Sequence, residues 1–167
     1  MRLNFELLAR HHDRSSFRSG EAVLDDWFHK RAGQDDRRDV ARVFVALYGE
    51  RIAGFYSLNA FSLGLGTLPE DHSAKLPRYD AVPAALIGRL ARDERYRGKG
   101  VGEALLTDAV RRALFAAKSL AIYAIAVDAK NTQAAEFYGT YGFRPFPLDP
   151  DRLFITAAKA AAAFGVE

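Results

Sequence analysis

The chain has 167 residues, 49% of them hydrophobic, with a formal net charge of +3 and an isoelectric point near 9.3. That length and composition suit one packed core, so a single domain over residues 1–167 is expected, and no repeat or low-complexity segment interrupts it. The chain has no cysteine, which excludes disulfides and an acyl-cysteine intermediate; no run approaches the roughly 18 apolar residues of a membrane span, and Met1 to Glu6 lacks a signal peptide's apolar stretch, so a cytoplasmic protein with no membrane attachment is predicted.

In chain order, Arg2 to Leu8 reads as a strand and Glu21 to about Ala32 as a helix, with Trp27 a core residue opposite Val23 and Leu24. Two alternating runs, Ala41 to Tyr48 and Ile52 to Ala60, flank a Glu50-Arg51 turn and predict a hairpin. Ser62 to Val82 reads as a long loop. Ala84 to Ala91 is short and mostly apolar, and its bounds, Pro83 and the charged Arg92-Asp93-Glu94-Arg95, favour a buried strand. Val101, Leu105, Leu106, Ala109, Val110, Ala113, Leu114 and Ala117 then recur at steps of one, three and four, which places them on one helix face. A strand from Ala121 to Val127 follows, and then a helix from Thr132 to Tyr141, capped near Asn131 and stopped at Gly142. Strands near Phe143 to Pro147 and Leu153 to Thr156 precede a tail, Ala157 to Phe164, that is either a last helix or frayed. Hairpins first, then strands alternating with helices, indicate a mixed α/β sheet.

The segment between the central strand and its helix, Arg95-Tyr96-Arg97-Gly98-Lys99-Gly100-Val101-Gly102, is the most informative. Glycine allows a tight turn and close approach to a ligand, and the first N–H groups of the helix carry partial positive charge, so the loop suits a phosphate or pyrophosphate. The competing reading is a turn whose glycines serve packing alone. Neither a P-loop ending nor Rossmann spacing is present, so a different phosphate ligand is required.

A second motif joins it. Asn131, Ala134, Tyr138, Gly142 and Phe143 follow the pattern Asn-x-x-Ala-x-x-x-Tyr…Gly-Phe, and Arg95-x-x-Gly98-x-Gly100 the pattern Gln/Arg-x-x-Gly-x-Gly/Ala. In this order the two motifs resemble the GNAT family of acetyl-CoA-dependent N-acetyltransferases over nearly the whole chain. Phe17-x-Ser19-Gly20, Leu24-Asp25-x-Trp27, Ala53-Gly54-Phe55-Tyr56-Ser57-Leu58, Gly88-Arg89-Leu90-Ala91-x-Asp93 and Val127-Asp128-Ala129 are similar to the TacT and AtaT type of GNAT toxin. The resemblance implies a GNAT fold, with a mostly antiparallel sheet flanked by helices, and acetyl transfer to the amino group of aminoacyl-tRNA. It also implies a homodimer and a cognate antitoxin of the ribbon-helix-helix kind.

Carried over residue by residue, the resemblance gives Tyr138 the general-acid role and Tyr141, on the same helix, a structural one. Backbone N–H groups of Arg97, Gly98, Lys99, Gly100, Val101 and Gly102 would hold the pyrophosphate, and the strand edge at Leu90, Ala91 and Arg92 the pantetheine amides. Asn131 and Phe137 would lie along the CoA arm, Asn131 also serving as a helix cap. Arg92 departs from the valine common in such toxins. With no cysteine, transfer is expected to be direct, the amine attacking the bound thioester.

Base strength bears on the acceptor: a lysine amine, pKa about 10.4, is almost fully protonated near neutrality, whereas an α-amino group, pKa about 7.7–8.0, is partly neutral. No carboxylate interrupts Ala84 to Ala91, which favours the α-amine. Asp93 and Glu94 read either as strand-ending solvated charges or as bases acting through water. His11, His12, His29 and His72 have no metal-ligand spacing, so no metal is expected. Lys30, Arg31, Arg37, Arg38 and Arg42, with Arg78, Arg89 and the loop cations, are candidate RNA contacts, although Asp35, Asp36 and Asp39 make an ordinary solvated loop an equal reading. Two rivals stand beside the toxin: a housekeeping GNAT acting on a small amine or protein N-terminus, and a noncatalytic acyl-CoA-binding module.

Overall fold

The computed structural model describes residues 1–76 and 79–166; Arg78, one of the candidate RNA contacts, lies outside them. Among the described residues seven strands hydrogen-bond in the order β1 (Asn4–Leu7), β2 (Arg42–Tyr48), β3 (Arg51–Gly64), β4 (Ala81–Arg92), β5 (Ala124–Asp128), β7 (Asp149–Thr156) and β6 (Arg144–Phe146), and the chain divides into two compact units. The first comprises Met1–Asn59 and Gly88–Ala109, the second Ala60–Ile87 and Val110–Glu167.

In the first unit, β1 (Asn4–Leu7) pairs antiparallel with β2 (Arg42–Tyr48), which pairs antiparallel with the leading part of β3 (Arg51–Gly64). Tyr48 faces Arg51 across a two-residue turn, Gly49-Glu50, one position earlier than the sequence suggested. Gly49 takes φ +64°, the left-handed geometry a short hairpin of matching twist requires.

The single helix expected before β2 is two, α1 (Ala22–Lys30) and α2 (Ala32–Arg37). Ala32 is fully buried and Asp36 accepts from the Val43 N–H at 3.0 Å, so the second helix is ordered by β2, a contact no local pattern reveals. Trp27 is in the core as expected, but with Phe28 and the partly buried Leu24; Val23 is 84% exposed. Phe28 stacks flat on Phe55 with centroids 4.1 Å apart, and Phe17 meets both edge-on, giving this core an aromatic centre.

In the second unit, β4 (Ala81–Arg92) runs parallel to β5 (Ala124–Asp128), with Ala84 opposite Ala124 and Ile87 opposite Val127. β5 pairs antiparallel with β7 (Asp149–Thr156), and β7 with β6 (Arg144–Phe146). The stretch 62–82 is not one loop: β3 continues to Gly64, a 3-10 turn spans Leu65–Thr67, and a short helix α3 occupies Glu70–Ser73. Leu63, Leu65 and Leu68 are buried with Val82, Leu86 and Phe154, and this burial orders a segment whose residue types read as loop.

Helix α4 (Val101–Ala116) carries the patterned face, and seven of its eight predicted apolar positions, from Val101 to Leu114, are buried, while Ala117 lies just past its end. α5 (Thr132–Thr140) begins where the Asn131 Oδ1 accepts from the Ala134 N–H at 2.8 Å. The tail resolves as a helix, α6 (Ala157–Ala163), capped by the Thr156 side chain. Among the described residues no helix is long and apolar enough to cross a membrane.

Gly54 is the tightest point of β3. A Cβ there would lie 2.7 Å from Leu105 Cδ1 on α4 and 2.9 Å from the Ala91 carbonyl oxygen. Gly54→Ala is therefore expected to destabilise the protein by about 1–3 kcal/mol, read as a lower urea midpoint; an unchanged midpoint would mean that β3 and α4 separate without cost.

Candidate active site

The first unit supplies the glycine loop. Gly98 and Gly100 take φ +74° and +78°, conformations that L side chains rarely adopt, and nothing lies within 4 Å of where their Cβ atoms would be. The reason for glycine is therefore backbone geometry, with open space above it, which is the arrangement an approaching anion needs. Arg97, Gly98, Lys99 and Gly100 are exposed, Gly102 is half-buried, and Val101 is fully buried at the helix start. An N-terminus of a sixteen-residue helix, exposed cations and an uncovered backbone fit a pyrophosphate.

Just upstream, Ala91 is buried and Leu90 and Arg92 are half-buried. The Arg92 Nε is a buried donor with no acceptor among the described residues. Such a group is costly unless a ligand or water satisfies it, so the departure from valine places an unfilled donor at the strand edge assigned to the pantetheine amides.

Asp93 is neither a solvated strand end nor a base. It is 1% exposed and accepts four hydrogen bonds: Arg95 Nε and the Arg95 N–H at 2.9 Å each to Oδ1, Arg95 NH2 at 2.9 Å and the Arg18 N–H at 3.2 Å to Oδ2. Burial alone would raise its pKa, but these donors outweigh burial and hold it below the usual carboxylate value. The ring of donors leaves it unable to accept a substrate proton; Glu94 is exposed, with its backbone N–H bound to the Arg18 carbonyl at 2.8 Å.

The second unit supplies Tyr138, buried on α5 at 3% exposure. Burial first, and the Asp128 charge second, push its phenol well above the ordinary value, so the group keeps its proton across the physiological range. Phe137 is half-buried, in edge contact with Tyr138 and with Tyr141, and Tyr141 stacks on Phe164. Asn131 is exposed and engaged as the α5 cap.

Asp128, whose charge acts on Tyr138, belongs to an ion pair that the sequence does not mark as a site. Arg152 donates to Asp128 through Nε at 2.6 Å and NH2 at 3.1 Å, and its guanidinium lies over the Phe61 ring at 4.7 Å. Asp128 falls in the Val127-Asp128-Ala129 motif, but nothing local marks Arg152; the two meet because β5 and β7 pair with Asp128 opposite Arg152.

Of the candidate RNA contacts, Arg89 lies over the Trp27 ring at 4.1 Å, and Lys30 pairs with Asp26 at 2.6 Å. Arg31, Arg37 and Arg38 are exposed. The interrupting aspartates are engaged within the fold, Asp35 with Trp27 Nε1 and Asp36 and Asp39 with Arg42.

Against the expectation from spacing, Glu6, His11 and His12 converge, with one ligand atom from each within 4.8 Å of the others. The His12 Nδ1 accepts the Ala9 N–H at 2.9 Å, so in the neutral ring Nε2 carries the proton and donates to Glu6 Oε1, also at 2.9 Å. The buried histidine is committed to that hydrogen bond, an arrangement that does not suit a metal.

A glycine loop at the start of a long helix, a buried tyrosine on the following helix and a mixed seven-stranded sheet define the acyl-CoA N-acyltransferases. The chain belongs to the acetyltransferase (GNAT) family, whose profile matches residues 5–143, and it is an acetyltransferase. Among curated proteins it is 34% identical to a probable toxin TacT of Sinorhizobium fredii, over 92% of this chain and 90% of that one. It is 37% identical to a tRNA-acetylating toxin of Mycobacterium tuberculosis, over 92% and 91%. Among solved structures it superposes on a tyrosine-to-phenylalanine mutant of KacT with a TM-score of 0.90, at 27% identity, covering 97% of this chain and 99% of the other. AtaTR bound with acetyl-CoA gives a TM-score of 0.84 at 25% identity, covering 97% and 98%.

Two predictions follow from these geometries. Asp93→Ala removes charge-assisted bonds and is expected to cost about 1.5–3 kcal/mol; the wild-type contribution is complete above pH 3.8 and lost as pH falls through the lowered folded value, so the stability gap between the two proteins narrows in acid. For Tyr138, the raised pKa means no ionisation at the ordinary value of 10.0. Ultraviolet phenolate titration of folded wild type and Tyr138→Phe is expected to coincide through pH 10, and extra wild-type amplitude below that would contradict a protonated buried phenol.

Proposed function

We propose that the protein acetylates the α-amino group of aminoacyl-tRNA, acting as a translation-inhibiting toxin from a single GNAT domain over residues 1–167. The observation that carries this is the joint occurrence of the two-motif site with full-length similarity to tRNA-acetylating toxins. Acetyl-CoA supplies an already activated acyl group, so the protein's work is to bind, orient and manage protons.

In this reading the N–H groups of residues 97–102 hold the pyrophosphate, Arg97 and Lys99 add charge, and residues 90–92 pair with the pantetheine arm, with Arg92 Nε meeting an acceptor there. Asn131 and Phe137 line the CoA path. The amine attacks the thioester carbonyl, a C–N bond forms and the C–S bond breaks; one proton leaves nitrogen and one arrives on sulfur, so transfer to a neutral amine is proton-neutral overall. Tyr138 is the donor to sulfur. Its raised pKa keeps the proton available and makes it a hydrogen-bond donor to the developing thiolate before it is a proton donor. Family membership, in which both motifs serve one reaction, joins the glycine loop to Tyr138.

No carboxylate is offered as base: Asp93 is saturated, which suits an α-amine that is partly neutral near pH 7. Lys30, Arg31, Arg37, Arg38 and Arg89 are the proposed phosphate contacts, of salt-sensitive and sequence-independent affinity. A cytoplasmic location, a homodimer, a ribbon-helix-helix antitoxin and the absence of a required metal complete the reading. Phe115 and Leu120, exposed at 73% and 72%, offer apolar surface for such partners.

The test is transfer of labelled acetyl to total aminoacyl-tRNA, with deacylated tRNA, polyamines and peptides in parallel. Label confined to charged tRNA is expected; label on a polyamine or peptide would select a housekeeping GNAT instead, and no transfer despite acetyl-CoA binding a noncatalytic module. Tyr138→Phe is expected to lower turnover about 10²-fold or more with acetyl-CoA affinity retained.

A further inference from the structure

Within the second unit lies a cavity of about 140 Å³ lined by Phe61, Leu63, Gly64, Phe146, Leu148 and Arg152 among others. Its walls come from the end of β3 and from the β6 and β7 hairpin, and Leu148, 90% exposed, stands at its mouth. A cavity of roughly 150 Å³ accommodates a benzene-sized group; Ser62, Thr67 and Asp149 also line this one, and its volume matches a single leucine, methionine or phenylalanine side chain.

Its charge argues against an anion. Arg152, the cation in its lining, is already held bidentate by Asp128 and stacked on Phe61. A phosphate entering here would have to compete with that carboxylate. An apolar group gains the burial of Phe61, Leu63 and Phe146 without disturbing the pair.

Its position connects it to the reaction. Side chains alternate along β5, so Asp128 shares a face with Ala124 and Ala126, which pack in one core with Leu63, Phe146 and the partly buried Phe61. The charge of Asp128 acts on Tyr138. The Asp128–Arg152 pair therefore links the proposed acid electrostatically to a side chain that lines the cavity.

We propose that this cavity receives the side chain of the aminoacyl group whose amine is acetylated, so that the enzyme selects apolar aminoacyl groups of leucine, methionine or phenylalanine size. The inference rests on the aminoacyl-tRNA reading above and adds to it the acceptor's amino-acid class. A rigid stack of Arg152 on Phe61 forms one wall, and Asp128 keeps the guanidinium from turning into the space.

The experiment compares acetyl transfer to one tRNA body carrying glycine, alanine, aspartate, leucine, methionine or phenylalanine in turn. The expected result is a kcat/KM for the three large apolar groups at least about tenfold above that for glycine, the scale on which a hydrophobic pocket discriminates. Leu148→Asp, which charges the mouth, and Gly64→Leu, which fills the space, are each expected to bring the methionyl to glycyl ratio toward one. Gly64 has φ −67° and its nearest neighbour to a new Cβ is Thr67 Cγ2 at 4.0 Å, so folding tolerates that change. Equal rates across the series, a preference for glycine or aspartate, or variants that lower every substrate in proportion would overturn the pocket while leaving aminoacyl-tRNA as the acceptor. Transfer to a polyamine or peptide with none to any charged tRNA would overturn the acceptor reading, and the pocket assignment with it.

Discussion

One carboxylate organises the first unit. Asp93 lies where β4 ends and the path to the glycine loop begins, and it binds the Arg18 N–H, the Arg95 N–H and the Arg95 guanidinium at once. Its own N–H donates to the Ala53 carbonyl at 2.8 Å, so the same residue ties the segment before α1, strand β3 and the entry to the loop. Burying a charge is expensive unless every lone pair is met, and the full set of donors here meets that condition. The loop can then hold Gly98 and Gly100 in left-handed geometry at its exposed end, because the end nearer the strand is fixed. A site that binds a phosphate through backbone N–H groups depends on that order, since mobile amides would lose entropy on each binding event.

The second unit applies the same logic to a different purpose. Tyr138 is buried with its proton, Asp128 acts on it electrostatically, and Arg152 holds Asp128 through two hydrogen bonds. A phenol that does not ionise can donate to developing charge without itself becoming an anion in an apolar setting. Arg152 also lines a cavity with Phe61, so the ion pair and the cavity wall share one side chain.

Much of this was legible in residue order. The helix α4 face, the Asn131 cap, the Gly142 stop and the two GNAT motifs all lie between Arg95 and Phe143, and pattern and periodicity read such spacings directly. Other features escaped because their cause is distant. The helix α2 is held by a bond from β2, Leu63, Leu65 and Leu68 are ordered by burial against β4 and β7, and Val23 is exposed although it sits one residue from a core position. Asp93 reads as a solvated charge because its donors include Arg18, 75 positions away.

Family and acetyltransferase chemistry are therefore properties of the chain read as a string, since motif spacing and helix periodicity are local and survive without coordinates. Whether a given charge is catalytic, structural or solvated was decided only by tertiary structure. Asp93 became an anchor, Arg152 a partner of Asp128, and His12 a hydrogen-bonded ring committed to Glu6. The physical reason is that a titratable group's role is set by its desolvation and its partners, and both come from strand register and packing between residues far apart in sequence.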